Sequence, residues 1–373
     1  MKTKGALLWG PGTRSGWSVE DIEIDDPRER EVLVRLAATG ICHSDDHVDT
    51  GDIPLDWAPI LGGHEGAGIV EQVGPGVTDV EVGDHVVFSF LPACGKCVPC
   101  VAGEQNLCDL GAGVLGGLTL DGSHRVHARG AGVGAMCYLG TFSPYVVAPL
   151  DSVVKIDKSI PLDKAALVGC CVPTGWGSAV YAAETRIGDT VVVFGVGGVG
   201  MNAVQGAKFA GATQIVAVDP VSFKREKAKE FGATHTAASA EEALTLVESI
   251  TRGRLADRAV ITVGVGEGKL IQGMQAVVRK GGVIVCTSAA PALQTEISLD
   301  LLTLTMSGKR LQGALFGSCA PRNDIPMLLD LYMRGLLKLD ELVTTKYSLE
   351  EINQAMADLR DGKNIRGLIV FDQ

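Results

Sequence analysis

The chain has 373 residues, of which 46% are hydrophobic and 21% charged, with 48 glycines against 15 prolines; this composition suits many strands and tight turns and excludes a disordered chain. The length exceeds the ~250–300 residues at which single cores stop growing, so two domains are expected. A net charge of −11, offset by no local lysine or arginine cluster, repels phosphate backbones and anionic lipid heads and argues against nucleic acid or membrane partners.

The opening MKTKGALLWGPG holds a four-residue apolar run before Pro11, too short for the core of a signal peptide. No segment reaches the ~20 apolar residues of a spanning helix, and a cytoplasmic location is expected by default. In such a compartment ten cysteines point to metal or catalytic thiols rather than to a disulfide framework.

In chain order, EVLVRLAA (31–38) reads as a strand, and GICHSDDH (40–47) follows it. Taken alone, GICHSDDH reads as a polar loop, yet a turn that bonds its own backbone through Asp and Ser needs neither a cysteine nor two histidines. It gathers Cys42, His43, Ser44, Asp45, Asp46 and His47. Next come GGHEGAG, with His64 and Glu65, and the β-rich runs GAGIVEQVG, GDHVVFSFL and SPYVVAP, split by Gly and Pro turns. VGCCVPTGWG, with Cys170 and Cys171, marks a change of pattern and a domain boundary near Cys171. From about Thr190 strands alternate with amphipathic helices: TVVVFG, GVGMNAVQGAKFAG, QIVAVD, SFKREKAKEFG, RAVITVG, GVIVCTS. That alternation implies a parallel, doubly wound sheet. After KRLQGALFG the helical patterns DIPMLLDLYMRGLL and SLEEINQAMADLRDG lead to a last strand, RGLIVFD.

Two local patterns carry chemistry by themselves. ACGKCVPCVAGEQNLC places Cys94, Cys97, Cys100 and Cys108 in C-x2-C-x2-C-x7-C spacing, and four thiolates on one compact lobe close a tetrahedral shell around Zn2+, leaving no position for substrate. An iron–sulfur run of the ferredoxin kind would bring its fourth cysteine after three residues and before proline, whereas Cys108 follows seven residues later and precedes Asp109. A nucleic-acid-binding ribbon would need two separated pairs and basic flanks.

VVVFGVGGVG sets Gly195, Gly197 and Gly200 in G-x-G-x-x-G spacing after a strand and at the start of a helix, with Gly198 and Val199 inside the motif. The first glycine permits the tight turn, the second lets backbone approach a pyrophosphate, and the third lets helix and strand pack closely. Asp219 ends the next strand, where an acid bonds both ribose hydroxyls and repels a 2′-phosphate, so NAD is expected over NADP. Asp219 as a cap for the helix after Pro220 is the competing reading. Lys224 and Arg225 supply nearby cations that could accept a phosphate. Cys42, His64, Glu65, Cys170 and Cys171 are further ligand candidates that spacing alone does not bring together, and Cys137, Cys286 and Cys319 read as small hydrophobes.

GICHSDDH, GGHEGAGIVEQVGPGV, CGKCVPC…C, VGCCVPTGWGSAV, GVGGVG and NIRGLIVF, in this order and over essentially the whole chain, resemble the zinc-dependent medium-chain alcohol dehydrogenases, most of all the actinobacterial nicotinoproteins assayed with N,N-dimethyl-4-nitrosoaniline (NDMA). The resemblance implies a β-rich GroES-like catalytic domain over 1–171 and 316–373 and a Rossmann NAD-binding domain over 172–315. It implies a catalytic zinc on Cys42, His64 and Cys170, an acid Asp45 orienting His64, and Glu65 beside the metal. Ser44 would accept the alcohol proton and His47 pass it on, while Asp46 has no role beyond a solvated or turn position. His43, where many members carry arginine, and Arg366 would face the cofactor pyrophosphate; Trp57, Phe90 and Tyr138 would line the substrate cleft.

The expected function is hydride transfer between a primary alcohol or aldehyde and tightly bound NAD(H), reoxidised in place by a second acceptor, with two zinc ions per chain in a dimer or tetramer. An NAD-exchanging alcohol dehydrogenase or thiol-dependent formaldehyde dehydrogenase is the alternative. A non-enzymatic zinc or nucleotide binder is disfavoured by the intact ligand and proton-path set, because a binder needs no proton path.

Overall fold

In the computed structural model, which describes residues 1–372, EVLVRLAATG forms the strand Glu31–Gly40, buried along nearly its whole length. Alternate side chains go to opposite faces: Val32, Val34 and Leu36 enter one core with Phe88, Val146 and Ile369, and Leu33 enters another with Leu7, Ile22 and Val147. Gly66–Val73 pairs with it antiparallel on one edge, and Tyr145–Pro149 and Arg366–Val370 pair with different stretches of it. A closed barrel of Lys2–Leu8, Ser18–Ile24, Val126–Ala128, Ala131–Ala135 and Ile60–Leu61 belongs to the same unit, which comprises Met1–Cys170 and the C-terminal residues from Ala320. This is the β-rich part.

The second unit, Cys171–Cys319, holds a six-stranded sheet in the order His235–Ala237, Gln214–Val218, Thr190–Phe194, Ala256–Ile261, Val278–Cys286, Arg310–Gly313, with every pairing parallel. TVVVF is buried at all five positions, as a central parallel strand covered on both faces must be. Each fully buried valine or isoleucine there contributes about 1.5–3 kcal/mol. The helices Gly198–Phe209, Ser222–Phe231, Ala240–Ile250 and Gly268–Val277 alternate with these strands and complete the doubly wound fold. KRLQGALFG supplies the edge strand of this sheet through Arg310–Gly313.

GICHSDDH departs from the polar-loop reading, because His43–Thr50 is a helix. Its residues are poor helix formers, but Asp45 Oδ2 accepts the backbone N–H of Cys42 at 3.0 Å and Gly51, in the left-handed region at φ +85°, closes the other end. Five of its eight residues, from Asp45 to Asp49, are buried, so packing overrides propensity. Among the described residues no single helix is long and apolar enough to cross a membrane.

Candidate active site

Three neighbouring strands deliver the first cluster. The backbone leaving Glu31–Gly40 runs through Ile41, whose N–H donates to Gly367 O, directly into Cys42. His64 and Glu65 precede Gly66, which pairs with Thr39, and Arg366 begins the strand in which Leu368 pairs with Gly40. Cys170 follows the short helical turn Ala166–Gly169. The ligand atoms of Cys42, His64, Glu65 and Cys170 all lie within 4.8 Å of one another, and all four residues are buried. Cys170 and not Cys171 joins the set; Cys171 starts the next helix, Cys171–Gly177, and is fully buried.

The donor set fits zinc. His64 Nδ1 is 3.0 Å from Asp45 Oδ1, while Nε2 is buried without a hydrogen-bond partner, the state of a ring nitrogen left for a metal. A hydrogen bond with Cys170 holds the Cys42 thiol well below its usual range against the opposing effect of burial, and His64 adds to the lowering. Burial works against a charged His64, but the charge and hydrogen bond of Asp45 raise it well above its usual value. Burial also pushes Glu65 up to about 7, although Arg366 pulls the other way. Arg366 Nη2 donates to Glu65 Oε2, and a Cβ on Gly40 would run into both groups, so this glycine is the condition for the buried pair. Thr39, bonded to Thr141 at 2.7 Å, supports the Glu65 backbone carbonyl.

Ser44 Oγ lies 3.7 Å from Cys42 Sγ on the first turn of the helix. His47, one turn on, is 2% exposed, and its ring centroid is 6.4 Å from that of His43. Its Nδ1 is 3.1 Å from Asp52 Oδ2, a partner that no motif pointed to. Asp46 is not a solvated turn residue: it is buried and accepts from Arg360 at 3.0 Å. Burial raises its carboxyl, with the Arg360 charge opposing. Arg360 lies far along the chain, and only the tertiary fold reveals it.

The second cluster is the lobe carrying Cys94, Cys97, Cys100 and Cys108, whose sulfurs likewise fall within 4.8 Å of one another. The one-turn helix Val98–Val101 starts directly after Cys97, and the N–H groups of Cys97 and Cys94 point at Cys94 Sγ and Cys108 Sγ, both at 3.4 Å. Backbone hydrogen bonds, first from Lys96, pull the Cys94 thiol down to about 6, and burial pushes Cys100 up to about 12. Among the described residues no disulfide joins any of the cysteines. Among the described residues the group comprises these four sulfurs, a set that could close a tetrahedral shell around zinc.

In the second unit, Gly195 has φ +84°, and a Cβ on Gly200 would collide with Gly195 O, while a Cβ on Gly197 would meet nothing within 4 Å. That open face at Gly197, the N-cap of Gly198–Phe209, could take a pyrophosphate at the helix N-terminus. Gly198, Val199 and Gly200 form the first turn of this helix. Asp219 accepts from Val196 N at 3.0 Å and from Val221 N at 2.9 Å, so it braces the glycine turn. The N-cap of Ser222–Phe231 is Val221, not Asp219, which removes the simple capping reading. Arg225 donates to the carbonyls of Asp219 and Pro220, and Lys224 is half-buried on the same helix.

Of the three aromatics expected in the substrate cleft, Phe90 meets the first cluster, edge-on to His64 with ring centroids 5.7 Å apart. Trp57 packs against His124 with ring centroids 4.6 Å apart and the planes tilted by 52°. Tyr138 is buried and donates its hydroxyl to Leu110 O in the cysteine lobe.

The alcohol dehydrogenase GroES-like domain model matches residues 28–158, and the zinc-binding dehydrogenase model matches residues 198–334. The chain belongs to the zinc-dependent medium-chain alcohol dehydrogenases. The NDMA-dependent alcohol dehydrogenase of Amycolatopsis methanolica is 53% identical over 370 residues, 99% of each chain. Alcohol dehydrogenase B of Mycobacterium tuberculosis is 52% identical over 372 residues, 100% of this chain and 99% of the relative. The crystal structure of benzyl alcohol dehydrogenase from Acinetobacter calcoaceticus, 32% identical, matches 100% of both chains with a TM-score of 0.92. Within the family the chain therefore stands close to the actinobacterial NDMA-dependent enzymes, and it is an alcohol dehydrogenase.

Proposed function

We propose that the chain oxidises primary alcohols, and reduces the matching aldehydes, with an NAD(H) that stays bound between turnovers and is regenerated in place by a second acceptor. The first unit is the catalytic domain and the second the coenzyme domain. The observation that carries the chemistry is the buried set of Cys42, His64 and Cys170 with an unbonded His64 Nε2. Zinc on those three ligands would act as a Lewis acid toward the alcohol oxygen, and NAD would take the hydride from the carbinol carbon.

The chain's own groups do the rest. Asp45 fixes the His64 ring and its tautomer. Ser44 takes the alcohol proton and His47 carries it onward. Glu65, held on Arg366, stands next to the three ligands as a fourth group that can enter the metal's coordination. The glycine loop binds the pyrophosphate from Gly197 and the helix N-terminus, and Asp219 bonds the adenosine ribose. His43 offers the pyrophosphate less charge than arginine would, and Arg366 supplies the remaining cation. Phe90, Trp57 and Tyr138 shape the substrate cleft. The second zinc, on Cys94, Cys97, Cys100 and Cys108, is structural.

The captive cofactor is supported by the 53% identity to an NDMA-dependent enzyme over 99% of the chain. The exchanging dehydrogenase is the second reading, and His43 is the feature that favours it. A dimer or tetramer and an acceptor for bound NADH belong to the first reading. Denaturing the purified protein should release about one NAD(H) per chain, and the native enzyme should turn over alcohol with NDMA and no added NAD. Protein that arrives without nucleotide and reduces added NAD stoichiometrically with alcohol would establish the exchanging reading instead.

A further inference from the structure

The histidine of the proton path is buried, and a relay that ends inside the protein cannot discharge. His47 is 2% exposed. The fold answers this at the end of its helix. Gly51 turns the chain through the left-handed region at φ +85°, and both Gly51 N and Ile53 N donate back to His47 O, at 3.0 and 3.1 Å. This reversal lays Asp52 against the imidazole. Asp52 Oδ2 then takes two contacts, His47 Nδ1 at 3.1 Å and the Thr50 hydroxyl at 2.8 Å. The side chain of Asp52 is 27% exposed, so it is the member of the pair that reaches water. The turn is itself held in place, because the Cα of Gly51 packs on Gly12 so closely that a Cβ there would lie 2.9 Å from it.

We propose that Asp52 is a positioning residue of the proton path: it receives the Nδ1–H of His47, which makes Nε2 the proton-accepting nitrogen, and it gives the buried ring a charged contact at the protein surface. The inference rests on the Ser44–His47 relay proposed above. An ionised carboxylate only accepts hydrogen bonds, so the proton on Nδ1 is fixed and the neutral ring has its lone pair on Nε2. When Nε2 takes the alcohol's proton, the imidazolium forms next to a carboxylate that is already charged and oriented; the same proton then leaves Nε2 for water, so Nδ1–H and the Asp52 carboxylate end each turnover as they began. Burial opposes the charged form of Asp52, but the Thr50 and His47 hydrogen bonds hold its carboxyl below the usual range, so it is ionised throughout neutral pH.

The other charged or titratable groups around the pair are His43, Asp46 and Asp49 on the same helix, Arg14 on the loop after the first strand, and Arg360 on the helix Ile352–Arg360. Arg360 ties Asp46 and Asp49 at 3.0 and 3.8 Å, and Asp46 also feels the charge of His47, whereas Asp52 is the acid in hydrogen-bond contact with the ring.

The test is the pH–rate profile of alcohol oxidation by the holoenzyme, with the acceptor that supports wild-type turnover, in Asp52→Asn, His47→Gln and the double variant. Asp52→Asn keeps the shape and an acceptor for Thr50. It should lower kcat about tenfold or more near pH 6, with KM little changed, and the deficit should shrink toward about pH 10 as hydroxide replaces the relay. In the His47→Gln background the same substitution should add less than about twofold, because Asp52 acts through that ring. Equal loss at every pH, or a full additional loss in the double variant, would mark a purely structural Asp52 and overturn the proposal. A normal Asp52→Asn beside a slowed His47→Gln would overturn it while leaving the relay standing. A normal His47→Gln would remove the relay itself, and Asp52's role with it. If Asp52→Asn folds poorly, Asp52→Glu should restore the acid-side rate, and failure to do so in folded protein counts against the proposal.

Discussion

Asp45 divides its carboxylate between the helix that carries Cys42 and the ring of His64: Oδ2 accepts the Cys42 N–H and Oδ1 meets His64 Nδ1, both at 3.0 Å. One buried side chain therefore starts the helix and fixes the ring of a residue placed to hold a metal.

Asp45→Asn should loosen the catalytic zinc by about 10–100-fold, since partners of ligating histidines are worth that much in metal affinity. Competition with a chelator measures this, and the four-cysteine site of the same protein serves as internal control. Unchanged retention at both sites would show that Asp45 does not orient the ligand.

The two clusters should separate on mutation. Cys97→Ser opens a shell that holds a lobe of very short helices together, so melting temperature and zinc content should fall together, from two ions to one. Cys42→Ser should abolish turnover with the melting temperature largely kept, because Cys42 is anchored by the sheet beside it. Iron with acid-labile sulfide in the lobe would contradict the assignment.

Asp219→Ser should narrow the preference for NAD over NADP and also weaken NAD binding, because Asp219 braces Val196 N in the glycine turn. Binding titrations with both nucleotides resolve the two effects. Native protein that carries NADP would refute the role given to this acid.

Acid should weaken the barrel through Asp121. Burial pushes its carboxyl up, but the hydrogen bonds from Ser123, Thr119 and Arg125 and the Arg125 charge together hold it far below the usual range. A carboxyl lowered on folding stabilises the native state above its unfolded pKa of about 3.9 and loses that contribution as pH falls toward the folded value. Denaturant midpoints between about pH 5 and pH 2 should therefore fall less steeply in Asp121→Asn than in the wild type. Parallel curves would show that Asp121 carries no such linkage.

The parts legible in the sequence are those whose geometry is local. Gly195, Gly197 and Gly200 announce a turn at one strand end, and the four cysteines from Cys94 to Cys108 need only a short loop to meet. The set of Cys42, His64 and Cys170 is legible only through resemblance, since two paired strands and a helical turn from distant parts of the chain bring it together. The His43–Thr50 helix has no sequence signature because Asp, His and Thr favour other states, and burial with a capping acid decides the matter. Asp52 and Arg360 were silent for a related reason: an acid after Gly51 and an arginine near the C-terminus have no signature until the fold sets them against His47 and Asp46.

The strand Glu31–Gly40, paired on both edges and covered on both faces, has a consequence for how the protein breathes. Its ladder amides can meet solvent only when the sheet opens, so Val32, Val34 and Leu36 should rank among the slowest to exchange hydrogen for deuterium. The segment 98–113 has one turn of α-helix and two short 3-10 turns around its sulfurs. Stripping the metal should speed exchange in that segment while the strand leading to Cys42 stays closed, so the catalytic ligands would wait in place for zinc to return.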